Sequence, residues 1–514
     1  MKITFIYPDI GYYADIGKKK LKSDKYGFFS EGVASLISIL KKEKHKVSLI
    51  HIKDPLSEKE FLDIFSKTKP DIALFSTTTH MYRYTKHYAK IIKKNFDIPI
   101  IAGGVHVTLN PEEVIKNPSI DIVCVGEGEF PIKELINAIE KKKNYTKVKN
   151  IWVKQGSKIY KNPVRPLIEN LDKIPLADIK SFKIQNLVPA RTDSAYIMLS
   201  RGCPFNCTYC SNHSIREIYP NKNKYARFRS VDNSIKYIKQ YLKEYPEIKQ
   251  IDFCDDTLNL YKDWFKEFMK KYKKEIGLPF QCRCRANLVD EETIKLLKQA
   301  GCYYVLFGVE SGNDFMLQKV LKRNMTKKDI YNAFSLCKKY GIRTLSYNMV
   351  GLPFENLYTM LETIKLNALV SDKSQCFIFY PYPNTELYNI CKKNNLLTDK
   401  EFNTYLEGTL LKQKTVTEAE VLFAHTFFNP LIKLYKLYYK MPFSMLFIGI
   451  TDSFFCFRYK PHKLMVNTYN LSKRIFYGSV TFLHNHFPRL YVKLRAVYIG
   501  KDKLKQRMAR KVEV

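Results

Sequence analysis

Short β-branched runs alternate with amphipathic helical stretches twice along this chain, and strands joined by helices in that rhythm build parallel sheets buried on both faces. In the first run the apolar segments are Ile3–Tyr7, Val47–Ile52, Ile72–Ser76, Ile98–Ala102 and Ile122–Val125, with helical stretches at Gly32–Lys42, Glu58–Thr68, Tyr82–Lys94 and Pro131–Lys141 between and after them. The second run has strands at Ala195–Ser200, Gln250–Phe253, Phe280–Arg285, Tyr303–Val309, Arg343–Val350 and Gln375–Phe379. Its intervening helices are Asp232–Glu244, Tyr261–Lys273, Glu291–Gln299, Lys327–Lys339 and Asn356–Leu369. The expected fold class is therefore α/β: a doubly wound Rossmann-like domain over residues 1–144, then a partial (β/α)6 barrel over 195–395. Residues 145–194 read as a connector, punctuated by Pro163, Pro166, Pro175 and Pro189, with a small hairpin of Ile151–Val153 and Lys158–Tyr160 around Gly156. Residues 396–514 lose the βα rhythm and read as a mainly helical region, where Thr417 and Glu420 form a capping box opening a helix towards Pro430.

The first barrel strand runs into Arg201-Gly202-Cys203-Pro204-Phe205-Asn206-Cys207-Thr208-Tyr209-Cys210. Twelve cysteines follow no secretion signal, so cytoplasmic, reduced thiols are expected and the spacing reads as metal or catalytic rather than as a disulfide framework. Three thiols at C-x3-C-x2-C can converge on one iron–sulfur cluster and leave one iron with an open coordination site. A structural zinc site would need a fourth ligand, for which His213 is the nearby candidate. Cys254, Cys282, Cys284 and Cys302 read as core or wall residues, with Cys282 and Cys284 expected on opposite faces of their strand.

This motif, with an aromatic residue just before its last Cys, resembles that of the radical S-adenosylmethionine (SAM) enzymes. The resemblance implies a [4Fe-4S] cluster on Cys203, Cys207 and Cys210 whose open iron chelates SAM. It also implies an electron donor of flavodoxin or ferredoxin type, and a 5′-deoxyadenosyl radical that abstracts hydrogen from substrate. Polar residues at the carboxyl ends of the barrel strands, where barrel sites lie, extend the likeness to the cobalamin-dependent branch. They are Asp255-Asp256-Thr257, Arg285 and Asn287, Gly308-Val309-Glu310, and Gly351-Leu352-Pro353-Phe354-Glu355. By that resemblance Tyr209, Asp255, Asp256, Arg285 and Glu310 contact SAM. The branch usually has Gly where this chain has Phe354.

The first domain carries the matching signal. Its strands end in Ser76-Thr77-Thr78-Thr79, Gly103-Gly104-Val105-His106-Val107-Thr108 and Gly126-Glu127-Gly128-Glu129. Glycines admit close approach of backbone to ligand, and ligands of such sheets sit beyond the strands' carboxyl ends. The three segments resemble the cobalamin (B12) groove of that branch, implying cobalamin contacts from Ser76, Thr77, Gly103, Gly104, His106, Gly126, Glu127 and Gly128. No His has Asp two residues before it, so the Asp-x-His motif that supplies a lower cobalt ligand elsewhere is missing; the loop here is Pro8-Asp9-Ile10-Gly11-Tyr12-Tyr13. A domain that keeps the fold without the cofactor fits as well. The resemblance implies methyl transfer to an unactivated carbon of a small metabolite. The alternatives are a cobalamin-linked oxidation, cyclisation or ring rearrangement, and a corrinoid- or RNA-binding protein with a structural cluster. A methylthiotransferase is disfavoured, because before residue 195 the chain has only Cys124 to offer a second cluster.

Hydrophobic residues are 45% and charged residues 26% of the chain, which excludes wholesale disorder. The net charge of +36 raises nucleic acid or an anionic membrane as a partner, against a plain reading of lysines spread over solvated helix faces. The basic charge concentrates late: Met441–Phe457 holds one charged residue, Asp452, and residues 458–514 hold 14 Lys/Arg and 2 Asp/Glu. No run of eighteen uncharged apolar residues occurs, so crossing a membrane is not expected. A cap on the barrel or a peripheral contact with the inner face of the membrane fits better, the latter favouring a lipid-like substrate; nucleic acid is not expected.

Overall fold

The computed structural model describes residues 1–10, 27–184, 187, 193–400, 407–442 and 444–487. The loop residues Gly11–Tyr13, Pro189 and the basic residues after 487 lie outside these.

The first sheet has seven strands: β1 (Lys2–Pro8), β2 (Lys46–Ile52), β3 (Ile72–Ser76), β4 (Ile100–Gly103), β5 (Ile122–Cys124), β6 (Ile151–Gln155) and β7 (Lys158–Lys161), in the order β2-β1-β3-β4-β5-β6-β7. The first five are parallel, and β1 lies between β2 and β3, which sets the switch point. The expected hairpin is β6–β7, and it extends this sheet: β6 runs antiparallel to β5, pairing Ile122 with Val153. The helices are α1 (Glu31–Lys42), α2 (Glu58–Thr68), α3 (Tyr82–Asn95), the short α4 (Val105–Leu109) and α5 (Pro111–Lys116), and α6 (Glu129–Glu140). Local chemistry sets their ends. Ser57, for example, accepts from Glu60 N–H while the Glu60 carboxylate takes Ser57 N–H, a reciprocal capping box.

The barrel begins with β8 (Ser194–Ile197). The strand expected through Ser200 is broken there, and β9 (Ser200–Arg201) pairs antiparallel with β10 (Arg227–Phe228). Then come β11 (Gln250–Phe253), β12 (Phe280–Cys284), β13 (Cys302–Glu310), β14 (Arg343–Val350) and β15 (Lys373–Ile378). Six parallel strands form one open sheet, β15-β14-β13-β12-β11-β8. Around it lie α7 (Ser211–Glu217), α8 (Val231–Glu244), α9 (Lys262–Glu275), α10 (Glu291–Gln299), α11 (Lys327–Lys339), α12 (Leu357–Val370) and α13 (Glu386–Lys393). A single apolar core joins the two sheets, running from Phe5, Ile101 and Leu135 to Phe253, Phe280 and Phe307.

The C-terminal region is helical, with α14 (Glu418–Tyr438), α15 (Ser444–Cys456) and α16 (His462–His486). The Thr417–Glu420 capping box opens α14, but the helix does not stop at Pro430; it continues two turns beyond it, although proline there lacks the N–H for an intrahelical bond. α14 packs on α12, β14 and β15, so this region covers the last barrel strand.

Cys282 and Cys284 correct an expectation. Residues two apart on a strand share a face, and their buried sulfurs lie 3.8 Å from each other, on the core side.

Candidate functional site

The cluster loop is held from three directions before any ligand is considered. Asp255, fully buried at the end of β11, takes the N–H groups of Leu199 (2.8 Å) and Ser200 (2.7 Å) on one carboxylate oxygen, together with the Ser200 hydroxyl. These bonds break the β8 strand and turn the chain into the cysteine loop. The other oxygen of Asp255 has no partner, and burial pushes the acid up to about 6. Asp256 is exposed beside Asn212. On the far side, Thr208 donates from its N–H to Leu321 O (3.1 Å) and from its hydroxyl to Val320 O (2.7 Å), fixing the middle of the loop to the π-helical turn Met316–Val320.

Thr257 Oγ1 lies 3.7 Å from Cys203 Sγ, and Arg285 points Nη1 at Cys207 Sγ at 3.8 Å while its guanidinium stacks 3.6 Å over the Phe205 ring. Burial, with the neighbouring Asp256 and cysteines, pushes the Cys210 thiol up to about 12, and Cys203 is raised too. Such thiols stay neutral unless a metal takes them as thiolates, so the donor set suits iron. Among the described residues no three His, Cys, Asp or Glu side chains stand in the closed arrangement of a metal-ion site. His213 Nδ1 faces Glu386 at 3.5 Å.

Tyr209, Glu310 and Arg285 meet through Arg323, which sequence reasoning missed. Arg323 donates to the Tyr209 hydroxyl and to Gly308 O (2.6 Å), and lies 3.6 Å from the Glu310 carboxylate; Arg285 donates to its backbone carbonyl. Glu310 sits at a bulge in β13 with φ +66°, so its carboxylate turns back onto the same arginine. Nothing in the local sequence marks Arg323, which is 114 residues from Tyr209. The Gly351–Glu355 turn keeps a left-handed residue at Phe354, φ +67°, and Gln413 clamps it by accepting Phe354 N–H (2.9 Å) and donating to Leu352 O (3.0 Å).

The first domain supplies the other wall. A cavity of about 310 Å³ opens at the carboxyl ends of β3, β4 and β5, with Phe5 of β1 beneath, and its lining runs from Ser76, Gly103, Gly104, Gly126 and Gly128 across to Met198–Gly202, immediately before Cys203. Gly104, at φ +100°, is pressed to Thr77: a Cβ there would sit 2.7 Å from Thr77 N and O. At Gly103 the nearest atom would be Cys124 Cβ at 3.7 Å, an ordinary contact. Thr77 is buried and His106 does not line the cavity; His106 stacks on Tyr82 (4.3 Å), its Nδ1 lies 3.3 Å from Thr79 Oγ1, and burial holds it neutral by lowering it to about 4. Glu31, in the first turn of α1, also lines the cavity, accepts from the Tyr237 hydroxyl (2.8 Å) and is raised to about 7 by burial.

The two glutamates of Gly126–Glu129 are already engaged. Glu127 receives Arg227 on both oxygens (2.7 and 3.1 Å) and Arg201 (3.2 Å), while Glu129 pairs with Arg201 and accepts from the Ser35 hydroxyl (3.0 Å). These residues tie the groove segment to the strand that leads into the cysteine loop, and the Glu127 N–H is donated to the Tyr219 hydroxyl (2.8 Å).

Two family models match the chain: the Radical SAM superfamily over residues 197–366, and the B12 binding domain over residues 25–136. An uncharacterized methyltransferase of Pyrococcus horikoshii is 32% identical over 398 residues, 76% of this chain and 84% of that protein. The anaerobic magnesium-protoporphyrin IX monomethyl ester cyclase of Rubrivivax gelatinosus is 27% identical over 344 residues, 65% of this chain and 60% of its own. Among solved structures, the radical SAM methyltransferase TsrM of Kitasatospora setae, with cobalamin and a [4Fe-4S] cluster bound, aligns over 81% of this chain and 83% of that one, with a TM-score of 0.63 and 15% identity, a likeness of fold.

Proposed function

The chain belongs to the radical SAM superfamily, in the branch that carries a B12 binding domain ahead of the barrel, and from that premise we propose that it transfers a methyl group from SAM, by way of cobalamin, to an unactivated carbon of a small metabolite. The observation that carries this is the shared cavity: the glycine-lined groove of the first domain and the strand leading to Cys203 are walls of one space. A [4Fe-4S] cluster on Cys203, Cys207 and Cys210 and a cobalamin in the groove would supply the reducing electron and the methyl carrier.

The residues of the chain hold, orient and seal. Asp255 fixes the entry to the loop and Thr208 its middle. Arg323, Glu310 and Tyr209 form a buried polar wall that would orient the charged end of SAM, while Phe205 and the Arg285 guanidinium shield the cluster side from water. Arg201 and Arg227, paired with Glu127 and Glu129, keep the two cofactor regions at a fixed separation. The electron donor would be a flavodoxin or ferredoxin. A lipid-like substrate is the finer reading, supported by the apolar C-terminal helices described below. The likeness to the cyclase keeps oxidation or cyclisation as the second reading.

The test is anaerobic reconstitution with iron, sulfide and cobalamin, followed by desalting. Wild-type protein should retain roughly one cobalamin and cleave SAM to 5′-deoxyadenosine when reduced. Gly103→Phe should lose cobalamin and keep iron, because Gly103 faces the cavity with room for a Cβ. Gly104→Trp is not a clean probe, since any Cβ there collides with the Thr77 backbone. Wild-type protein without cobalamin at saturating supply would remove the methyl-transfer reading.

A further inference from the structure

The C-terminal helices bury one side and leave the other apolar and bare. On α15 the inner side, Ile448 and Phe455, packs with α14 and α12. Its one carboxylate, Asp452, also turns inward, accepting from Lys365 Nζ (2.7 Å) and the Tyr435 hydroxyl (2.6 Å). Opposite, Leu446, Ile450 and Phe454 recur at four-residue spacing, and with Met445 and Phe457 each is more than half exposed. On α16, Val466 is buried and Tyr469 packs on Phe427 of α14 (5.0 Å), but residues 470–479 are exposed on every side. Leu464, Leu471, Ile475 and Phe482 form one helical stripe there, each more than half exposed, with Phe476 and Tyr477 beside it.

We propose that the outer faces of α15 and α16 dock on the surface of an anionic lipid bilayer. Charge selects this occupant. From Ser453 to Lys501 the chain has no Asp or Glu, while Lys463, Lys473 and Arg474 lie on α16; Arg458 is instead paired with Glu420. A large bare apolar face marks an interaction site, and one flanked only by cations suits a surface that is apolar below and negative above. Depth selects the mode. No helix among the described residues is long and apolar enough to cross a membrane, and the thirteen residues of α15 reach about 20 Å against a hydrocarbon core of about 30 Å. The helices therefore lie in the interface, with the Leu, Ile and Phe side chains below and Tyr477 at the headgroup level. This docking stands whether or not the substrate is lipid-like.

The experiment is vesicle flotation with the full-length chain, using phosphatidylcholine vesicles with and without phosphatidylglycerol. The protein should float with the anionic vesicles and not with the neutral ones. Binding should weaken sharply between about 0.1 M and about 1 M salt, as the screening length falls from about 10 Å to about 3 Å. Gln at Lys463, Lys473 and Arg474 together should weaken it about 100-fold. The combined variant Leu471→Glu, Ile475→Glu, Phe476→Glu should abolish flotation while leaving the apparent Tm and reductive SAM cleavage unchanged, since these side chains are each more than half exposed and stand apart from the buried cores. Protein that stays at the bottom with every vesicle overturns the proposal. So does a concentration-dependent dimer, without flotation, that the same triple-Glu variant dissolves, because the face would then belong to a second copy.

Discussion

Replacing Arg201 with Ala should loosen the whole seam between the groove and the cysteine loop. The guanidinium meets Glu127 and Glu129; its side chain is 22% exposed, and that of Glu129 only 4%. Glu127 would keep Arg227, but Glu129 would keep only the Ser35 hydroxyl as a side-chain partner. Removing one member of a buried pair costs about 3–5 kcal/mol, chiefly for the charge left behind, and the partial exposure of Arg201 points to the low end, about 3 kcal/mol. At about 2–4 °C per kcal/mol for a unit of 150–250 residues, the apparent Tm should fall by roughly 6–12 °C. Anaerobic differential scanning fluorimetry measures it. Adding Glu129→Gln to Arg201→Ala should recover part of the loss, because the uncompensated charge is then gone while the Ser35 contact remains. Burial alone would raise Glu129, but Arg201 holds it below the ordinary carboxylate range. Its stabilisation is thus present above about pH 4.5 and lost as pH falls through the depressed value. Wild-type protein should lose Tm in that acid window more steeply than Glu129→Gln. A drop of under about 2 °C for Arg201→Ala, or a double variant no better than the sum of the singles, would refute the reasoning.

Ala at Cys203, Cys207 and Cys210 together should abolish both iron binding and SAM cleavage; retention of about four irons per chain by that variant would sink the cluster assignment. Glu355 is fully buried with one oxygen unpartnered, and burial raises it from its ordinary 4.5 to about 8. A raised acid stabilises the fold below its unfolded pKa and loses that contribution as pH climbs to the folded value, so Glu355→Gln should flatten the fall in Tm between about pH 5 and 8. Phe354→Gly should leave Tm unchanged or slightly raised, since relief of the left-handed backbone, about 1–2 kcal/mol, is offset by about 1 kcal/mol of glycine entropy; a loss above about 5 °C would mean that the Phe ring itself holds the turn.

Much of the architecture is local and was legible in the residues. Helices such as Glu58–Thr68, Glu291–Gln299 and Lys327–Lys339 stand where apolar periodicity and capping pairs put them, because each is decided within a few residues of chain. The cysteine loop was legible for the same reason: its spacing lies on one turn of backbone. What tertiary structure alone decided is how buried polar groups are partnered. Arg323 reaches Tyr209 across 114 residues, Glu127 and Glu129 pair with arginines of the barrel, and Asp452 turns inward to Lys365, leaving the outer face of α15 without a charge. Even the strand expected through Ser200 breaks because Asp255, 55 residues away, captures its N–H groups. A charge buried beside the core needs a partner within a few ångströms, and which partner comes that close is set by how the two sheets share a core, a property no window of sequence contains.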